Sequence, residues 1–151
     1  MIRQGEICRS FYFVENGYLR TFYDNDGTIV NMNFTFEGNF TTDVKSFRKR
    51  KATELIIEAG ENSAIWVFDL SKLSGKYPPG SKVPTFIRRL AIDILLASLA
   101  HSELLKLHTP TERYRYIELH HPSLLQRVSL SHIASYLGIA RETLSRIRGK
   151  T

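Results

Sequence analysis

Tyr77-Pro78-Pro79-Gly80 divides this chain into two halves that obey different periodicities. Two successive prolines remove two backbone donors and fix φ, so neither a strand ladder nor a helix runs through them. Before the break, apolar residues come in short runs. Phe11-Tyr12-Phe13-Val14 is followed by Asn16-Gly17, a pair suited to positive φ, and then by Tyr18–Tyr23. Asp24–Gly27 is a second turn signal ahead of Ile29–Phe34, where Val30, Met32 and Phe34 share a face, and Gly38-Asn39 is a third. Thr53–Glu58 and Ser63–Phe68 form a further strand pair around Gly60-Glu61-Asn62. Punctuation this regular predicts an antiparallel roll or barrel. The basic run Arg48–Lys51 falls between two predicted strands and reads as a solvated loop.

After the break the period changes from two to between three and four. Thr85–Leu107 holds 23 residues without Gly or Pro, which predicts one long helix from about Pro84. Ile87, Leu90, Ile94, Ala97, His101 and Leu104 follow a near-heptad seam, while Ile92, Leu95, Leu96 and Leu99 are apolar on other faces. Such a helix is either sandwiched inside one fold, or packs one stripe on its own roll and another on a second subunit. A roll and a short terminal module are the only other partners in the chain, so the second arrangement is expected, with the Ile87–Leu104 seam as the dimer helix.

The last forty residues carry the sharpest pattern. Thr109-Pro110-Thr111-Glu112 joins an N-cap to a helix-opening proline, and His121-Pro122 ends that helix. Ser129 then precedes Leu130–Leu137, Gly138 follows at once, and Ile139-Ala140 leads into Arg141–Arg148. Ile133 and Leu137, four apart, face one core. Ala134 is small where a second helix crosses, and Gly138 suits a tight left-handed turn. Ile139, Leu144 and Ile147 turn inward on the second helix, leaving Arg141, Glu142, Ser145, Arg146 and Arg148 outside. A packed inside with an outside that both donates and accepts hydrogen bonds is what reading a DNA major groove requires. The charge distribution agrees. Of a net charge of +6, residues 111–151 contribute the larger part, with Arg113, Arg115, Arg127, Arg141, Arg146, Arg148 and Lys150 against Glu112, Glu118 and Glu142.

Ser129–Arg148, with Leu137-Gly-Ile-Ala-Arg-Glu-Thr-Leu-Ser-Arg-Ile147, resembles the helix-turn-helix of the Crp/Fnr transcription regulators. Gly5-Glu6 and Phe11–Arg20 resemble that family's cyclic-nucleotide-binding-type β-roll, and the helix after Tyr77-Pro-Pro resembles its dimerisation helix. The resemblance implies an α+β chain with an antiparallel β-roll over 1–80, a dimerisation helix over 81–108 and a helix-turn-helix domain over 109–151. It implies a homodimer on double-stranded DNA, with a recognition helix from each subunit in successive major grooves. Base contacts would come from Arg141, Glu142 and Arg146, with Ser145 beside them, and phosphate contacts from Ser129, Ser131, Thr143 and Arg148.

The sequence departs from the family pattern in three places. The Gly-Glu pair that family members set against ribose becomes Thr42-Asp43, and the Arg-Ser/Thr pair for the cyclic phosphate becomes Thr53-Glu54. A carboxylate where phosphate should sit is electrostatically wrong, so these four residues read as a vestigial pocket and cyclic AMP is disfavoured. The sequence ends at Thr151, just after the recognition helix, without the family's β-hairpin wing, as in a short-tailed subgroup. It also starts late relative to the roll, as an N-terminally truncated roll would, and such a roll would expose an edge strand.

Other chemistries find little support. Cys8 is alone, so no disulfide or cysteine-rich cluster forms within one chain, and the histidines lack carboxylates in ligand spacing, so no metal or other cofactor is expected. Gly-x-Ser-x-Gly, Gly-x-Gly-x-x-Gly and a phosphate-loop lysine are absent, which leaves no enzymatic constellation. Trp66 and the phenylalanines sit in strand patterns and read as core. No stretch approaches about 20 apolar residues, no signal peptide opens the chain, and the setting expected is cytoplasmic, away from membranes. The competing reading is a sensor whose roll binds a small anionic effector, its identity unknown, while the terminal helices dock on a partner protein.

Overall fold

The computed structural model describes residues 1–72 and 76–149; Leu73–Gly75 and the C-terminal Lys150 and Thr151 lie outside the described residues. The strands are β1 (Ser10–Asn16), β2 (Tyr18–Asn25), β3 (Thr28–Phe36), β4 (Phe40–Thr41), β5 (Ile56–Ala59) and β6 (Ala64–Asp69). The helices are α1 (Val44–Lys49), α2 (Val83–Leu107), α3 (Pro110–His120), α4 (Pro122–Arg127), α5 (Leu130–Tyr136) and α6 (Arg141–Arg148).

The expected α+β class holds, and the strands fall into two three-stranded sheets, ordered β4-β1-β6 and β3-β2-β5. Two strand pairings inferred from sequence are corrected. β1 and β2, joined at Asn16-Gly17, lie in different sheets, as do β5 and β6 around Gly60–Asn62. Gly17 makes a crossover between sheets rather than a hairpin. Its φ is +85°, a Cβ there would fall 2.1 Å from Ser63 Oγ, and its N–H donates to Glu37 Oε1 at 2.9 Å. β1 instead pairs antiparallel with β4 and β6. Ile2, Cys8, Tyr12, Val14, Leu19 and Ile57 form the buried cluster of the roll.

Two short helices, α1 and α4, were not foreseen. Asp43 caps α1 by accepting from the Ser46 N–H, so Arg48 and Lys49 belong to a helical last turn rather than a hairpin loop. Pro122, expected only to end a helix, opens α4 as well. Trp66, expected in the core, is 56 % exposed on β6, an outer strand of its sheet, with Val67 and Phe68 exposed beside it.

The described residues gather into two compact units. One comprises Met1–Thr21 and Phe34–Ala97; the other comprises Phe22–Asn33 and the described residues from Ser98 onward. The tip of the β2–β3 hairpin thus groups with the C-terminal helices. Within that second unit α3 packs on α4 and α6, and α5 packs on α4 and α6, around Tyr114, Ile117, Leu124, Ile133, Leu137 and Leu144.

Candidate nucleic-acid interface

The two terminal helices form as local chemistry dictates. Ser129 caps α5 by accepting from the His132 N–H, satisfying one of the four donors a helix start leaves free. Leu137 closes α5, and Gly138 at φ +62° turns the chain. Ala140, with extended backbone and no side-chain cap, starts α6. Leu144 is fully buried, and Thr143 and Ile147 are half-buried. Arg141, Glu142, Ser145, Arg146 and Arg148 are exposed. The residues proposed for base edges thus share one wet face. Ser129 and Ser131 are exposed at the start of α5.

α5 itself is gripped by polar contacts on several sides. His101 stacks flat on Tyr136, with ring centroids 4.0 Å apart, and its Nε2 lies 2.8 Å from the Tyr136 carbonyl oxygen. Burial pushes the His101 imidazole below its usual range; the Tyr136 carbonyl acts in the opposite sense, and the Arg113 charge adds to the depression. Burial also raises the Tyr136 phenol to about 12. Arg113 on α3 spreads its guanidinium over three backbone carbonyls, donating from Nε to His108 O at 2.9 Å, from Nη1 to Leu137 O at 2.8 Å and from Nη2 to Leu105 O. Thr109 and Glu112 complete a capping box at the start of α3.

On another side of α5 stands the hairpin tip. Ser135 Oγ donates to Ile29 O at 2.8 Å and accepts from Asn31 N at 2.9 Å, and Asn31 Nδ2 donates to His132 O at 3.3 Å. Sequence reasoning passed over Ser135, Asn31 and Arg113. No periodicity marks a contact between residues more than a hundred positions apart, and Arg113 counted only as charge.

Of the four residues expected in a vestigial pocket, Asp43 and Thr53 bond to each other, while Thr42 and Glu54 have partners elsewhere. Asp43, besides capping α1, accepts from Thr53 Oγ1 at 2.5 Å, and Thr42 Oγ1 donates to Ser10 O at 2.8 Å beside Cys8. Glu54 is exposed and pairs with Lys45 at 3.6 Å. Among the described residues no group of three His, Cys, Asp or Glu could hold a metal ion.

On α2 the structure redistributes the two apolar stripes. His101 and Leu104, placed in the expected dimer seam, are buried within this chain; Ile87, Leu90 and Ile94 are half-buried, and Ala97 is exposed. The side left open instead carries Ile92, Leu95, Leu96 and Leu99, each 47–59 % exposed, at the i, i+3, i+4, i+7 spacing of one helix face. No helix of the described residues is long and apolar enough to cross a membrane.

Solved structures share this fold. FixK2 of Bradyrhizobium japonicum superposes with a TM-score of 0.80 at 20% identity, over 97% of this chain and 76% of that one. The fold is that of the Crp/Fnr regulators. A CRP/FNR-family transcriptional regulator of Thermus thermophilus matches at a TM-score of 0.73 and 14% identity, over 99% of this chain and 79% of its own. The c-di-GMP-responsive global regulator CLP of Xanthomonas campestris matches at 0.71 and 20%, over 99% and 80%. No protein-family model and no curated protein matches the sequence. At these identities the likeness to the Crp/Fnr regulators is one of fold.

Proposed function

We propose that this protein is a sequence-specific, homodimeric DNA-binding transcription regulator of the Crp/Fnr type, with α6 as its recognition helix. The observation that carries the reading is the division of α6. Leu144 is sealed inside, while Arg141, Glu142, Ser145, Arg146 and Arg148 stand in solvent. Arginine binds guanine O6 and N7 in bidentate fashion, and glutamate accepts from cytosine N4, so this face reads base edges. Ser129, Ser131, Thr143 and Arg148 then serve phosphates. The open Ile92–Leu99 face of α2 supports a second copy of the chain, which would set two recognition helices on half-sites about one helical turn apart. Cyclic AMP is not the effector in this reading, because Asp43 and Thr53 bond to each other and Glu54 brings negative charge.

Selection of bound duplexes from a random pool tests the proposal, followed by titration of the selected site. Arg146→Ala should weaken the selected duplex by roughly 1–3 kcal/mol and relax preference at one base position. Identical binding of selected and scrambled duplexes by parent and variant would refute it.

A further inference from the structure

The open edge of β3 meets the first helix of the helix-turn-helix, and a side chain takes the place of a neighbouring strand there. β3 is an outer strand of its sheet, so its outward N–H and C=O groups need partners from elsewhere. One hydroxyl supplies two of them, since Ser135 Oγ donates to the carbonyl of Ile29 and accepts from the amide of Asn31, residues i and i+2 of the strand. Asn31 adds a third bond from Nδ2 to His132 O, one turn earlier on α5. The asparagine is almost wholly buried, and its Oδ1 finds no partner. An apolar residue would fit such a position without leaving a polar atom unmet, so the bond to α5 is what the asparagine contributes.

We propose that Ser135 and Asn31 are positioning residues for DNA recognition: the hairpin tip is the seat on which α5 rests, and through α5 it sets the direction of α6. This rests on the DNA-binding reading above and adds to it the part that aims the recognition helix. Asn31 is buried and the Ser135 hydroxyl is engaged by β3, so their part is to position rather than to contact DNA. The C-terminal end of α5 is held separately, through Tyr136 O and Leu137 O, by His101 of α2 and Arg113 of α3.

The test compares Ser135→Ala with Ser135→Thr, which keeps the hydroxyl, and reads two quantities. The first is amide exchange of Asn31, with the backbone shifts of α6, by NMR on the free protein. The second is the Kd for the selected duplex. Ser135→Ala should speed Asn31 exchange about tenfold, shift the α6 amides and weaken the duplex by about five- to tenfold; Ser135→Thr should restore both readouts. Asn31→Leu should reproduce the α6 shifts without touching any polar group on α6. Unchanged Asn31 exchange in Ser135→Ala, or faster exchange with α6 shifts as in the parent, overturns the proposal. A parent that binds no duplex would sink the DNA reading alone, because exchange and α6 shifts still decide whether the seat exists.

Discussion

Arg113→Met is the perturbation that tests how the helical unit is held together. The native guanidinium donates to His108 O, Leu137 O and Leu105 O, which ties the end of α2, the start of α3 and the turn after α5 to one planar group. Leu105 and Leu137 lie where helix carbonyls run out of intrahelical partners, so each gains a donor it otherwise lacks. A hydrogen bond involving a charged group contributes about 1.5–3 kcal/mol net, which gives about 6 kcal/mol for three. Arg113 is half-buried, and water replaces part of what it loses. Halving the sum leaves about 3 kcal/mol. Methionine keeps the aliphatic stem, so the loss isolates the donors. Urea unfolding followed by the helical circular dichroism signal should show the midpoint falling by about 1.5 M, for a slope near 2 kcal/mol per M. Arg113→Lys should fall between, because one ammonium cannot span three carbonyls set for a fork. A midpoint for Arg113→Met within about 0.2 M of the parent would refute the clamp.

Three further outcomes follow from the same geometry. Leu95→Glu with Leu99→Glu places charges on the open face of α2 and should convert a two-copy species to one copy in sedimentation equilibrium; an unchanged mass would place the subunit contact elsewhere. His101 has its folded pKa lowered from 6.5 by burial, so the unfolded chain binds the proton more readily. Stability is then complete above about 6.5 and is lost as pH falls from there toward the lowered folded value. Thermal melts should lose less between pH 7 and pH 5 in His101→Phe, which keeps an aromatic ring against Tyr136 but cannot titrate, and equal losses in both proteins would contradict this. Gly138→Ala meets no atom closer than 3.5 Å, so its cost is the strain of φ +62°, about 1–2 kcal/mol. An alanine variant as stable in urea as the parent would show that the turn does not need this conformation.

What the sequence determined by itself is whatever a few neighbouring residues decide. Thr109 and Pro110 start α3, Ser129 caps α5, Gly138 turns the chain, and the breaker-free run after Pro84 makes one long helix. The outward set on α6 was legible for the same reason, since a helical period fixes which side chains share a face. Partners are another matter. Period two gives each strand a face but not a neighbour, and so the Asn16-Gly17 and Gly60–Asn62 corners read as hairpins although each joins strands of different sheets. Two apolar stripes on α2 are equivalent until something covers one of them; packing buried His101 and Leu104 and left Ile92, Leu95, Leu96 and Leu99 in water. Only the tertiary structure brought Ser135 to Ile29 and Asn31, and Arg113 to the carbonyls of two helix ends. Those contacts answer a requirement for satisfied backbone groups that arises once the elements have met, which no local pattern encodes.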